Sequence, residues 1–139
     1  IQHSVADMRY AGWGRIINLS SVHGLVGSAN KAAYVAAKHG VVGLTKVIAL
    51  ETATQNITVN AISPGWTDTP ILDPQIEQRM AQLGSTRDDA IYNLVAEKQP
   101  TGKLVPPEHV AALVYFLVGE QASHITGGTL PIDGGWTCQ

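Results

Sequence analysis

The sequence has little of several residue types that would point to a particular class of protein. It contains one cysteine, Cys138, which excludes an internal disulfide and a cysteine-based metal cluster and fits a reducing compartment. The 9 basic residues are outnumbered by 11 acidic ones, the net charge is −2, and no basic run occurs, so we expect no nucleic-acid partner. His3, His109 and His124 lack partners at metal-ligand spacing, and no metal site is predicted.

Long apolar runs are also missing. No stretch reaches about 18 consecutive apolar residues, and the N-terminus has no charged-then-apolar pattern. We therefore expect no membrane contact and a cytoplasmic location.

What is present favours one α/β domain with a packed core. Hydrophobic residues make up 45% of the 139 positions and charged residues 14%, a composition typical of globular domains. Apolar, strand-like runs alternate with helical patterns, and this alternation indicates a parallel sheet covered by helices. The predicted strands are 15–20, 57–62 and 129–132, and the predicted helical stretches are 2–10, 32–54, 75–83, 86–98 and 106–119.

The central motif is the pair Tyr34 and Lys38, which lie four residues apart at the start of an apolar helix. This spacing puts both side chains on one face of the helix. An ammonium beside a phenol favours the phenolate, so Tyr34 could take a proton from a substrate oxygen or return it. Taken alone the pair is weak evidence, because many solvated helix faces carry the same spacing.

Two strand ends flank this helix in the sequence. Ser20 and Ser21 close the strand before it, with Ser21 placed 13 residues before Tyr34, and the segment 60–65 (Asn-Ala-Ile-Ser-Pro-Gly) follows it. The carboxyl ends of parallel strands are where such sheets bind ligands. A serine-ended strand, a Tyr-x-x-x-Lys helix and an Asn-Ala-x-x-Pro-Gly strand, in this order, resemble the short-chain dehydrogenase/reductase family.

The resemblance implies a Rossmann-like doubly wound parallel sheet, of which this chain carries the second half only. The family's glycine-rich fingerprint and acidic ribose-binding residue have no match here, so we expect the first βαβαβ half, and with it the determinant of NAD against NADP, to be absent from this chain. Residues 1–139 are then the C-terminal part of a single dehydrogenase domain, with a small helical substrate lid at about 72–100.

The resemblance also implies catalytic and cofactor-binding roles. Ser21 is the expected catalytic serine rather than Ser20, because the reactive serine of the family lies 13 residues before its tyrosine. It would hold the substrate oxygen beside Tyr34, while Lys38 would act on the phenol and bond the nicotinamide ribose. The residues implied to bind NAD are Tyr34, Lys38, Pro64, Gly65, Trp66 and Thr69.

Within the family, the segments 21–26, 29–40, 64–66, 97–100 and 133–136 resemble the members that oxidise (R)-3-hydroxybutyrate to acetoacetate with NAD. A small 3-hydroxy acid carries a carboxylate that must be paired when it leaves water. Each candidate also has an ordinary alternative, since a loop lysine is usually solvated and a tryptophan usually belongs to a core. The predicted substrate-binding residues are His23, Lys31 and Gln75 around the carboxylate, and Trp66 and Trp136 around the short apolar chain.

Other positions carry smaller predictions. Asn18 is expected to satisfy backbone groups near the strand end, and Arg15 is expected to be a surface charge. Gly40 and Gly43 suggest that another element packs closely on the long helix. The family commonly forms tetramers through this helix and the C-terminal region, here 127–137, so a homotetramer is implied.

Three alternatives stay open at this point. A 3-oxoacyl thioester reductase and a polyol or sugar dehydrogenase would keep the family and change the substrate. A non-catalytic truncated fragment or assembly module would belong to another class of protein. Binding of NADH distinguishes that last alternative from an enzyme.

Overall fold

The computed structural model describes residues 1–138, which form three parallel strands and five α-helices. The strands are β1 (Gly14–Leu19), β2 (Ile57–Pro64) and β3 (Thr129–Ile132), and β2 lies between the other two. Both pairings are parallel, with Gly14 opposite Ile57 and Ala61 opposite Thr129. The parallel α/β architecture expected from the alternating pattern is confirmed.

The helices end where local chemistry stops them. Gly12 and Gly84 close the first and third helices with φ angles of 67° and 59°, a left-handed conformation that glycine adopts without steric cost. The fourth helix begins after Thr86, whose hydroxyl accepts a hydrogen bond from the Asp89 amide and satisfies a donor of the first turn. The five are α1 (Gln2–Ala11), α2 (Ala32–Thr52), α3 (Asp73–Leu83), α4 (Arg87–Ala96) and α5 (Pro107–Val118).

Apolar residues cover both faces of the sheet. On one face Ile57 and Val59 of β2 pack with Ala49 of α2. On the other face Ile62 packs with Leu117 of α5. β2 is buried from residue 57 to residue 63, as expected for a central parallel strand between two helical layers.

α3 and α4 pack together as a helical hairpin. It has its own apolar cluster of Leu72, Ile76 and Ala90, against which Trp66 packs. Trp66 belongs to the loop that follows β2, so the hairpin lies beside the edge of the sheet where α/β proteins bind ligands. The lid function expected of 72–100 stays a prediction.

α2 leaves much of its apolar surface uncovered. Leu44 and Leu50 are exposed, and a Cβ added at Gly40 or Gly43 would meet nothing within 4 Å among residues 1–138. The expected close packing on these glycines is therefore wrong for contacts within this chain. By length and composition alone α2 could cross a membrane, but one such helix is weak evidence because the core helix of a soluble protein passes the same test.

Two predictions about polar side chains are also wrong. Arg15 is only 8% exposed, because its guanidinium lies 5.0 Å from the ring centroid of Trp13 and donates to the Asn56 carbonyl at 3.1 Å. Within residues 1–138, the Asn18 side chain makes no hydrogen bond to a backbone group. Its amide donates to the hydroxyl of Thr45 on α2 at 2.9 Å, so it ties β1 to that helix.

Candidate active site

A cavity of about 480 Å³ lies beside the carboxyl ends of β1 and β2, a size typical of small-molecule sites. The only ionisable side chains that line it, among the described residues, are His23, Lys31 and Tyr34, and no carboxylate faces it. Lys38 and Pro64 do not line it. The other nine predicted site residues do, namely Ser21, His23, Lys31, Tyr34, Gly65, Trp66, Thr69, Gln75 and Trp136.

The two serines after β1 have different surroundings. The Ser21 hydroxyl oxygen accepts a hydrogen bond from the His23 backbone amide at 3.2 Å and lies 3.4 Å from Nδ1 of the same histidine. The Ser20 hydroxyl donates to the Lys38 carbonyl at 3.1 Å. Successive side chains of an extended chain point to opposite sides, so Ser21 reaches the cavity and Ser20 packs on α2. The catalytic role of Ser21 stays a prediction.

Tyr34 and Lys38 lie on the first two turns of α2, on the side that faces β1. The Lys38 ammonium is 5.6 Å from the centroid of the Tyr34 ring. It also donates to the carbonyl of Leu19, the last residue of β1, at 3.1 Å. The strand end thus holds the Lys38 ammonium beside the Tyr34 ring.

His23 stands between the other aromatic side chains of the cavity. Its ring is edge-on to Tyr34 at 5.7 Å and to Trp136 at 5.5 Å between centroids. Burial, followed by the nearby positive charge of Lys31, holds the pKa of His23 below its ordinary value of 6.5. The imidazole is therefore neutral at pH 7. Lys31 and Gln75 are exposed residues on the cavity wall.

Most of the backbone in the loop after β2 is engaged by the scaffold. The Gly65 amide donates to Ile132, and the Asp68 amide donates to Val105, both at 2.9 Å. Within residues 1–138 the amides of Thr67 and Thr69 make no hydrogen bond. Among the described residues, these two amides are therefore available to donate to a ligand.

Gln99 supports the site, although it is not among the predicted site residues; only the resemblance of segment 97–100 includes it. Its side chain is fully buried; Oε1 accepts from the Trp66 amide at 3.1 Å, and Nε2 donates to the Lys103 carbonyl at 2.6 Å. Gly65 and Gly134 lie so close to it that a Cβ at either position would clash with Gln99. In the sequence, glycine at these two positions indicates that another group packs closely there, but it does not identify that group as the Gln99 side chain.

Asp133 holds the segment that carries Trp136. Its carboxylate accepts hydrogen bonds from the Gly135 amide at 3.1 Å and from the Thr137 amide and hydroxyl at 2.9 and 2.6 Å. Burial tends to raise the pKa of the Asp133 carboxyl, but these hydrogen bonds outweigh it and hold the pKa below its usual value. The Trp136 ring stacks on Trp66, with centroids 6.1 Å apart and planes inclined by 30°, and closes one end of the cavity.

The family model described as enoyl-(acyl carrier protein) reductase matches residues 1–137. It represents the short-chain dehydrogenase/reductase family. Because the match covers nearly the whole chain, this chain belongs to the short-chain dehydrogenase/reductase family of oxidoreductases.

Two curated relatives are D-beta-hydroxybutyrate dehydrogenases. That of Cupriavidus necator is 52% identical over 136 residues, which cover 98% of this chain and 53% of the relative. That of Rhizobium meliloti is 47% identical over 139 residues, 100% of this chain and 54% of the relative. The solved structure of 4-hydroxyisoleucine dehydrogenase complexed with NADH is similar with a TM-score of 0.85 and 33% identity, covering 99% of this chain and 53% of that one. The chain spans about half the length of the relatives it matches.

Proposed function

We propose that the protein carrying this chain is an NAD-dependent dehydrogenase that oxidises (R)-3-hydroxybutyrate to acetoacetate. The observation that carries the proposal is the charge of the cavity, because the Lys31 ammonium lines it together with the neutral imidazole of His23 and, in the described part of the chain, no carboxylate does. A carboxylate that leaves water needs an opposite charge or hydrogen-bond donors, so this wall favours a small acid. The similarity to two D-beta-hydroxybutyrate dehydrogenases supports the same choice.

The substrate is held from two sides. Lys31, Gln75 and His23 face its carboxylate, and the stacked rings of Trp66 and Trp136 cover its methyl end. Because the stacked rings stand at one end of the cavity, we expect a four-carbon acid to be preferred over an acyl thioester.

The residues present fit the nicotinamide end of NAD. A carboxamide offers both an acceptor and donors, and in residues 1–138 the Thr67 and Thr69 amides have no acceptor yet both residues line the cavity. The Thr69 hydroxyl lies close by, 3.5 Å from the Thr67 carbonyl. Lys38 of α2, whose ammonium reaches the end of β1, would bond the ribose hydroxyls. The choice of NAD over NADP rests on the resemblance to the hydroxybutyrate-oxidising members of the family.

Three side chains then perform the proton chemistry. Tyr34 acts as the general base that removes the proton of the substrate hydroxyl, and the Lys38 ammonium lies beside its ring. Ser21 donates a hydrogen bond to the substrate oxygen as the carbonyl forms. Bound beside Thr67 and Thr69, NAD would supply the acceptor for the hydride of the substrate.

Replacement of the Tyr34 hydroxyl tests the proposal. Tyr34→Phe should lower kcat for 3-hydroxybutyrate by about 10²–10⁴-fold, the usual contribution of a positioned acid–base group. The fold should persist, because Tyr34 is 47% exposed and phenylalanine keeps the ring contact with His23. Tyr115→Phe, at an exposed tyrosine of α5, is the matched control. A Tyr34→Phe enzyme with kcat near that of the wild type would refute the acid–base assignment.

The same assay separates the alternatives. A larger kcat/KM for a 3-oxoacyl thioester or a polyol than for the hydroxy acid would transfer the proposal to that substrate class. Binding of NADH to the full-length natural protein that contains this chain is measured by the change in NADH fluorescence. If no binding were detected, a non-catalytic role would be favoured.

We further propose that the protein is a cytoplasmic homotetramer that contacts neither membranes nor nucleic acids. Support for assembly comes from the uncovered face of α2, where Leu44, Val47 and Leu50 are exposed. Contiguous exposed apolar residues mark association sites. Light scattering should give the mass of four subunits, and Val47→Glu should lower that mass. A monomer in both cases would refute the assembly.

A further inference from the structure

We infer that His23 carries two protons whenever an acid occupies the cavity, so that binding of the acid takes up a proton from solution. The inference rests on the proposed function and deepens it, because it assigns one histidine both the orientation of Ser21 and the recognition of the carboxylate. The His23 ring has two partners, Ser21 and the carboxylate of the acid, and each of them requires an N–H donor.

The first partner is Ser21. Its hydroxyl has one proton and two lone pairs, and the His23 amide, at 3.2 Å, fills one lone pair. Nδ1, at 3.4 Å, can fill the second only if it carries a proton. If Nδ1 were an acceptor, it would draw the Ser21 proton away from the substrate oxygen. Orientation of Ser21 for catalysis therefore requires Nδ1–H, and a contact that is long without substrate commonly tightens once substrate binds.

The second partner is the acid itself. Nε2 makes no hydrogen bond within residues 1–138, while the ring lines the cavity. A neutral imidazole has a single N–H. With that proton on Nδ1, Nε2 would present a lone pair to the carboxylate and repel it. Only the imidazolium can donate to Ser21 and to the carboxylate at the same time.

The electrostatic surroundings make this protonation depend on the ligand. Among the described residues, the titratable groups beside His23 in the cavity are Lys31, which precedes α2, and Tyr34 in its first turn, whereas the C-terminal segment contributes the uncharged Trp136. Without an acid, burial and then the charge of Lys31 hold the pKa of His23 below 6.5. A carboxylate near Lys31 and His23 compensates both effects and raises that pKa. The free site is then neutral at His23 and the occupied site is cationic.

Calorimetry of a non-oxidisable acid measures the proton directly. Butyrate is titrated, near pH 7, into the longest natural polypeptide that carries this chain, saturated with NADH, in phosphate and in Tris. The dependence of the binding enthalpy on the buffer's ionisation enthalpy should show uptake of about half to one proton per butyrate. The neutral analogue 2-butanol should show uptake close to zero.

Two histidine variants assign the proton. His23→Asn keeps a donor on the side of Ser21 but cannot be protonated, so its butyrate complex should form without proton uptake, and its kcat should exceed that of His23→Leu, which has no donor. His39→Asn is the matched control, since His39 is exposed on α2 with Nδ1 at 3.0 Å from the Val35 carbonyl, and its uptake should equal that of the wild type.

The outcomes separate the two levels of the proposal. Butyrate binding without proton uptake in the wild type, or uptake that persists in His23→Asn, overturns the role of His23 and leaves the proposed substrate standing. If butyrate does not inhibit oxidation of 3-hydroxybutyrate competitively at any concentration tested, the proposal that the substrate is an acid is overturned, and this inference with it.

Discussion

Replacement of Gln99 by leucine should destabilise the protein and loosen the loop that carries Trp66. Leucine has a similar volume but neither of the two hydrogen-bonding groups, so the Trp66 amide and the Lys103 carbonyl would lose their partners. Leaving a buried polar group unpaired costs about 1–3 kcal/mol. Because loop relaxation recovers part of the loss, we expect the free energy of unfolding to fall by about 2–4 kcal/mol for the two groups together.

Urea unfolding followed by tryptophan fluorescence measures this loss. With a slope of about 2 kcal/mol/M, the midpoint should drop by roughly 1–2 M. The matched control is Gln82→Leu, which changes an exposed glutamine of α3 and should alter stability by no more than about 0.5 kcal/mol. The variant should also bind NADH and substrate more weakly, since the amide of Trp66 is no longer fixed beside the cavity.

Two results would contradict this reasoning. If Gln99→Leu unfolded at the same urea concentration as the wild type, the two hydrogen bonds would not stabilise the fold. If it lost stability but kept its KM values under conditions where it is folded, the glutamine would support the fold without positioning the loop after β2.

Two further substitutions test the walls of the cavity. Lys31→Ala should raise KM for the hydroxy acid about 10–100-fold, because a hydrogen bond to a charged group contributes about 1.5–3 kcal/mol, but should change KM for 2-butanol little. The control is Lys46→Ala, at an exposed lysine of α2. If Lys31→Ala changed KM equally for both substrates, a contact between Lys31 and the carboxylate would be excluded. Trp136 separates the cavity of about 480 Å³ from a neighbouring one of about 550 Å³. Trp136→Ala should therefore favour the longer substrate 3-hydroxyhexanoate over 3-hydroxybutyrate, raising the ratio of their specificity constants by about 10-fold or more, given roughly 1–3 kcal/mol per accommodated methylene. An unchanged ratio would show that Trp136 does not limit chain length.

The elements of the fold could be predicted from sequence because local signals mark their ends. Glycine at residues 12 and 84 and proline at residue 107 stand where helices stop or start, and all predicted bounds lie within two residues of those observed. Ser21 and Tyr34 both line the cavity, and extended and helical periodicity indicate which side of its own element each side chain takes. What these signals have in common is that each acts over a few residues.

Apart from the packing expected on Gly40 and Gly43, the wrong or missing predictions concern polar residues whose environment is set by distant segments. Arg15 is buried because Trp13 and the carbonyl of Asn56 receive its guanidinium, and residue 56 is 41 positions away. Gln99 lies in the polar segment 97–100, which by composition belongs on a surface, yet its partner Trp66 is 33 positions away. Composition and periodicity describe a residue's own element, and neither identifies the partner that makes burial of a polar group favourable.

The residues of the proposed active site are held in place in two different ways. Ser21, Tyr34 and Lys38 are held by the end of β1 and the first turns of α2, whose backbone hydrogen bonds leave little freedom. Trp66 and Trp136 stand on irregular segments that depend on two buried side chains, Gln99 and Asp133, for their position. Loop segments vary more readily than the elements that carry them, so substitutions around the tryptophans should change which acid is accepted. Substitutions on α2 should instead change the rate at which any acid is oxidised. This separation predicts that substrate range can change in the loops without loss of the acid–base pair.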